Sequence, residues 1–376
     1  MLITDKPRSP QPWAFRLILL AIFLCLAGAP FLFEGTRALD TSARICIFIL
    51  LVASYDLLLG YTGVVSFAHT MFFGMGAYGV ALASLHMGRS FEALAIGSAA
   101  GVGVAIVLAA IIGLFSLRVR AIFFAMITLA VASAMAVLVS QMSGFTGGED
   151  GLTFQIPREL TPAYKYSEEP LTGLRLSNLS EVIQGSLPLE DLFRTVRFNG
   201  KLVNYYLIFG GAFLLFLILL RITVSPFGRV LQGIRENEFR AEAVGYSVVS
   251  YRIAATCLSA AFAALAGALF AIWLRYVGPD TTLSFDIMIE ILLMLVIGGM
   301  GTIYGAAIGA TLFLLAQSYL QELMAAGQSA VSTLSVPYLP QLLEPDRWLL
   351  WLGVLFVLSV YFFPTGIAGR LRRKVT

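Results

Sequence analysis

Ten apolar stretches, nine of them 15 to 25 residues long, succeed one another along this chain, and almost no charge falls inside them. A helical run of about 20 apolar residues matches the hydrocarbon core of a bilayer. Soluble folds carry about 25% charged residues, whereas this 376-residue chain has 12%, against 59% hydrophobic. The same hydrophobicity rules out a disordered chain. Three cysteines in 376 residues rule out a disulfide scaffold. The expected class is therefore all-α: a polytopic membrane protein, with residues 1–376 forming a single transmembrane domain.

The spans are expected at Trp13–Phe33, Ile45–Leu59, Val64–Leu85, Ala93–Leu117, Ile122–Val139, Leu202–Leu220, Ile253–Leu274, Ile287–Ile297, Gly305–Leu323 and Trp348–Phe363. The eighth is short, and the third and ninth are rich in glycine. Lys6, Arg8 and Arg16 ahead of an apolar run from Leu17 have the layout of a signal peptide. The run continues to Phe33 without an A-x-A site, which favours an uncleaved first span. Ten spans place both termini on one side, and short internal loops carry the excess of Lys and Arg. With both termini inside, fourteen of the 25 basic residues are internal, including Arg118, Arg120 and five between Arg221 and Arg252. Five lie in short outer loops: Arg37, Arg44, Arg89, Arg275 and Arg347. The expected topology is N-in and C-in.

Two polar segments interrupt the membrane part. Residues 141–201 form an external segment with eight acidic and six basic residues. That is long for a connector; a small lid or docking surface and an irregular loop both fit it. Residues 223–251 form an internal loop with stronger local signals. Ser225-Pro226 reads as a helix start. Asn237 can cap a second helix over Glu238–Val244, Glu238 suits its positive end, and Gly245 can end it. This short charged helix, with Arg240 and Glu242 beside Phe239, Ala241 and Ala243, suits docking to a cytoplasmic partner. An ordinary solvated connector is the alternative.

Gly60–Gly79 reads GYTGVVSFAHTMFFGMGAYG. Its glycines, among them Gly60, Gly63, Gly74 and Gly76, allow either close helix packing or a broken helix. Ser66 and His69 lie within it, and Asp56 just before it. Ionisable groups at membrane depth suggest function. A neutral imidazole hydrogen-bonded between helices also fits His69. A second cluster, GGMGTIYGAAIGA, runs from Gly298 to Ala310 and includes Gly299 and Gly301, with Glu290 before it. Paired glycine-interrupted segments point to a substrate path, although helix packing alone would explain both.

The net charge of +3 is too small for nucleic-acid binding. Cys25, Cys46 and Cys257 fall in apolar stretches and read as small buried hydrophobes. No P-loop, H-E-x-x-H, C-x-x-C or G-x-S-x-G motif occurs, and His69 and His86 are the sole histidines. The chain is expected to have no catalytic residues, no metal site and no cofactor of its own.

Five motifs, in order, resemble the LivM-type permease of bacterial ABC importers for branched-chain amino acids. They are the 60–78 segment, TGGEDGL at 146–152, IRENEFRAEAVGY at 234–246, SAAFAALAGALFA at 259–271 and GGMGTIYGAAIGA at 298–310. Together they span roughly residues 40 to 370. The resemblance implies a heterodimer with a LivH-type permease, two cytoplasmic ATPase subunits that bind ATP, and a periplasmic binding protein, in the bacterial inner membrane and its lipid. It implies coupling to the ATPase through Arg235, Glu236, Asn237, Glu238, Arg240, Ala241, Glu242 and Gly245. The importer class carries Glu-Ala-Ala…Gly there; Glu242-Ala243-Val244-Gly245 has shorter spacing, so the docking role carries over and no single contact does. Thr146, Gly147, Gly148, Asp150 and Gly151 form the matching external motif. Asp56, Ser66, His69, Glu290 and the two glycine segments are the expected path or hinge. Relatives of the family import urea or short-chain amides. An ion-coupled secondary transporter and a membrane-embedded enzyme or respiratory subunit are the rival classes; the latter is poorly supplied with His and Cys ligands.

Overall fold

Helix α2, Thr36–Thr62, occupies the centre of the molecule, and every residue from Ile45 to Leu58 is buried. A helix apolar on all sides belongs in an interior. Around it stand α1 (Pro12–Leu32), α3 (His69–Met87), α4 (Phe91–Ser116), α5 (Ala121–Gln141) and the short α6 (Ser143–Thr146). Next come α7 (Gly200–Val224), α8 (Pro226–Glu236), α9 (Glu238–Ala243) and α10 (Val248–Leu274). The chain continues through α11 (Pro279–Thr282), α12 (Phe285–Gly298), α13 (Ile303–Ser332), α14 (Trp348–Phe362) and α15 (Gly366–Arg373). The computed structural model describes residues 12–33, 35–116, 121–166, 171–174, 193–196, 198–332, 344, 347–362 and 366–373. Lys6, Arg8, Arg118, Arg120, Lys374 and much of the external segment lie outside them.

Each of the ten apolar stretches contains a helix. Among the described residues seven helical stretches are long and apolar enough to cross a bilayer, with Pro279–Gly298 counted as one. α3 falls short of that in apolarity and α14 in length. The expected boundaries move at two places. α2 runs on to Thr62 and ends at Gly63, whose φ of 74° is left-handed. The expected third span then starts at His69 rather than Val64, so the break lies at residues 63–68, and Gly74, Gly76 and Gly79 sit inside a regular helix.

Those glycines bring helices together. A Cβ on Gly76 would fall 2.7 Å from the Ala264 Cα of α10, and one on Gly79 2.9 Å from the Gly101 Cα of α4. Gly267 of α10 lies against the Phe73 carbonyl in turn. Lipid supplies no hydrophobic drive for helix association, so close backbone contact between small residues takes its place. α10 also reaches α2 through Ser259 Oγ, which donates to the Ser54 carbonyl at 2.6 Å. By contrast the crossing windows of α4, α5 and α7 are only 28%, 22% and 28% buried, leaving apolar outer faces for lipid or a partner.

α1 contains Pro30. A proline has no N–H, so the carbonyl four residues back loses its helical donor. That carbonyl is Leu26, and Tyr205 Oη of α7 donates to it at 2.6 Å; Tyr206 Oη donates to Ala27 at 2.8 Å.

Two small ribbons qualify the all-α expectation. β1 (Leu152–Thr153) pairs antiparallel with β4 (Tyr276–Val277), and β2 (Leu171–Leu174) with β3 (Phe193–Val196). The first ribbon ties the start of the external segment to the turn after α10, so the loops after α5 and α10 lie at one end. Lys201 and Asp40 meet there at 3.2 Å, and Arg37 pairs with Glu322.

Tyr205→Phe should cost about 1–3 kcal/mol by orphaning a buried carbonyl. In a Pro30→Ala background, where the restored backbone N–H can donate to Leu26, the same change should cost much less. Equal losses of thermal stability in both backgrounds would refute the pairing.

Candidate functional site

Near the C-terminal end of α2, Asp56 is fully buried. Its Oδ1 accepts the Gly301 N–H at 2.7 Å, in the turn between α12 and α13. One helical turn on, the Gly60 carbonyl accepts from Arg235 Nη1 of α8. The Arg235 side chain also lies over Gly63, the cap of α2. A Cβ on Gly60 would fall 2.7 Å from the Asp56 Cγ, so the junction closes only around glycine. Gly298 packs on Gly305 and Gly309 of α13, and Gly366 of α15 on Gly299. The structure thus brings together Asp56, both glycine clusters and the start of the internal loop. Arg235 reaches from α8 to α2 and so joins the loop to the bundle.

The other polar candidates lie elsewhere. His69 is buried against α2, with Nε2 2.9 Å from Ser54 Oγ and its ring centroid 5.0 Å from that of Tyr55. Ser54 Oγ itself donates to the Leu51 carbonyl at 2.7 Å, an arrangement satisfied with the imidazole proton on Nε2. Ser66 Oγ accepts the Ala68 N–H at 3.3 Å and shapes the break. Glu290 Oε1 accepts from Gln317 Nε2 at 2.8 Å, joining α12 to α13. His69 Nδ1 is buried and has no hydrogen-bond partner among the described residues.

A groove of about 470 Å³ opens between the first turn of α3, the face of α5 and residues 279–285. The irregular segments at 63–68 and 283–284 meet on it, with the Phe67 and Phe285 rings 6.1 Å apart. Thr128 Oγ1 of α5 accepts the Phe67 N–H at 3.1 Å. A single sequence gives no sign of this groove, because its polar members, Thr70, Ser133, Ser140, Glu149, Asp280 and Ser284, are scattered along the chain.

The external motif is a clasp. Thr146 Oγ1 donates to the Val139 carbonyl at 2.6 Å, and Gly147, Gly148 and Gly151 take positive φ. A Cβ on Gly151 would fall 2.8 Å from the Gly278 Cα, and Tyr276 Oη donates to the Asp150 carbonyl at 3.1 Å. Thr146–Gly151 therefore fixes the end of α5 to the turn that borders the groove.

On the internal loop, Asn237 Oδ1 accepts the Arg240 N–H at 2.9 Å and caps α9 as expected. Gly245 follows with φ 100°. α9 ends at Ala243, with Val244 as its cap. No residue of α9 is buried; Phe239 is 82% and Val244 71% exposed. Arg252 holds Glu238 with two bonds of 2.9 Å. Glu236, Arg240, Ala241 and Glu242 share this surface, which is charged and carries exposed apolar side chains.

A profile of the family described as branched-chain amino acid transport system, permease component, matches residues 37–360. The chain is similar to the high-affinity branched-chain amino acid transport system permease protein LivM of Salmonella typhimurium, 26% identical over 318 residues, 82% of this chain and 69% of that one. It is similar to Escherichia coli LivM at 27% over 317 residues, with the same coverage. A probable branched-chain amino acid transport permease protein LivM of Methanocaldococcus jannaschii is 29% identical over 158 residues, 42% of this chain and 43% of that one. No solved structure matches.

Asp56→Ala leaves the part-buried Gly301 N–H unpaired, so the purified protein should lose about 1–3 kcal/mol of stability. Asp56→Asn keeps an acceptor oxygen and should recover most of it. A wild-type melting temperature for the alanine variant would remove the junction from the account.

Proposed function

The chain belongs to the branched-chain amino acid transport permease family, and on that premise we propose that it is the membrane-spanning permease subunit of an ABC importer for branched-chain amino acids. It is a multi-pass membrane protein and not itself an enzyme. In this reading it pairs with a LivH-type permease in a bacterial inner membrane. Two ATPase chains bind ATP below it, and a periplasmic binding protein delivers substrate above. The match over residues 37–360 carries the reading; the exposed helix α9 supports its coupling half.

ATP hydrolysis in the partner chains moves the surface formed by α8 and α9. Arg235 passes that displacement to Gly60 at the end of α2, and Asp56 links α2 to the turn at Gly301. α12, which this turn ends, starts at the groove beside Phe285. A push on the internal loop therefore reaches the groove through contacts between rigid helices. Closing and opening it in alternation moves substrate, with Gly60, Gly63, Gly299 and Gly301 as the compact joints. The orientation is N-in and C-in: Arg221, Arg229, Arg235, Arg240 and Arg252 gather at the end that carries α8 and α9, as the positive-inside rule requires of a cytoplasmic face.

Reversing the charges of Arg240 and Glu242 together with Phe239→Asp should cut co-purification of the ATPase by about tenfold or more, since a buried aromatic anchor is a typical hot spot. The permease should keep its own melting temperature. Unchanged pull-down would show that α9 is not the docking surface. A cytoplasmic reporter fused after Lys374 should be active and one inserted at Lys165 inactive; the reverse pattern would invert the topology.

A further inference from the structure

We propose that the groove between α3, α5 and residues 279–285 is a substrate subsite on this chain, shaped for a zwitterionic aliphatic amino acid. The proposal rests on the permease reading above and adds to it where substrate is held and by which chemistry.

Thr70 makes the first argument. It is 1% exposed and lines the groove, yet its hydroxyl has no hydrogen-bond partner among the described residues. The hydroxyl therefore keeps its donor and acceptor capacity for whatever occupies the groove. Thr70 lies in the first turn of the 19-residue α3. The helical ladder begins where Phe72 N–H donates to Ala68 at 3.3 Å, which leaves the amides of His69, Thr70 and Met71 at the positive helix end. A free donor hydroxyl beside that end suits a carboxylate.

Charge at the other wall makes the second. Asp280 and Glu149 line the groove, and among the described residues no Lys or Arg does. An acidic wall opposite a helix N-terminus would hold an ammonium group and a carboxylate at once. A neutral amide or urea would satisfy neither pole with charge. Between the poles Leu129, Ala132, Leu283 and Phe285 supply an apolar surface for a branched side chain. The volume of about 470 Å³ falls in the range of small-molecule sites, about 300–1,000 Å³.

Depth makes the third. Irregular backbone is tolerated within a membrane only where it borders protein or a watery cavity. Two such segments border this groove, and Gly74 lets Leu283 approach α3 there. The larger cavity, about 650 Å³ at the outer end, lacks these properties. Its Lys201 is already paired with Asp40, and its Arg37 with Glu322.

The test uses the complete importer in proteoliposomes with its binding protein, leucine as the probe, and uptake normalised to assembled complex on size exclusion. Thr70→Val and Asp280→Asn should each lower leucine uptake about tenfold, the loss of one charge-assisted hydrogen bond. Thr70→Ser, which restores the hydroxyl, should stay within about twofold of wild type. Asp280 is exposed, so its substitution reports on the site even if Thr70→Val fails to assemble. Wild-type uptake by Asp280→Asn, or by an assembled Thr70→Val, would overturn the subsite and leave the permease reading intact. Failure of the wild-type complex to import leucine, isoleucine or valine would overturn the permease reading itself.

Discussion

A backbone N–H or C=O inside a bilayer has no water to turn to, and that one constraint decides how this chain can bend. Regular helix satisfies it without outside help. Each departure needs a side chain from somewhere else in the sequence. Pro30 strands the Leu26 carbonyl, and Tyr205 supplies the donor. The break at 63–68 strands the Phe67 amide, and Thr128 supplies the acceptor. The end of α2 and the turn at Gly301 are closed by Arg235 and Asp56. These irregular features are thus held by residues far away in sequence. That is why the site is shared among α2, α3, α5, α8 and α12 and does not reside in one loop.

The same contacts make the bundle stiff in some directions and free in others. The α3, α4 and α10 group is locked by backbone contact at Gly76, Gly79, Gly101 and Gly267. α12 and α13 are locked by Gly298, Gly305 and Gly309. Between the two groups runs α2, joined to the second by the Asp56–Gly301 bond. Asp56 Oδ2 is buried and has no hydrogen-bond partner among the described residues. A junction made by one hydrogen bond and one guanidinium can change register where an interlocked glycine seam cannot. Motion between states is therefore expected at the junction and not within the seams.

Much of this was legible in sequence. Apolar length pointed to a helix in each of the ten stretches, and local cap chemistry placed α8 and α9 nearly to the residue, because Pro226, Asn237 and Gly245 act through their own neighbours. Glycine was ambiguous because close approach and a broken helix use the same residue. Only the partner distinguishes them: Gly76 meets Ala264, whereas Gly63 takes a left-handed φ. The pairing of Asp56 with Gly301 spans 245 positions and leaves no local trace. The groove was invisible for the same reason, since a threonine in one helix and an aspartate about two hundred residues on carry no joint signal. His69 and Glu290 stood out for being ionisable at depth, and the structure gives each a polar neighbour, Ser54 or Gln317, that sequence could not name.

The Pro30–Tyr205 pair also bears on how the protein is made. Residues 26 and 205 are 179 positions apart. A ribosome feeding this chain into a membrane delivers α1 long before α7. Throughout that interval α1 carries a carbonyl that lipid cannot satisfy. The helix is therefore poorly suited to diffuse away alone and well suited to wait beside the hydrated insertion machinery until α7 emerges. Pro30 thus makes the first helix incomplete on its own and ties its comfort in lipid to a residue made much later.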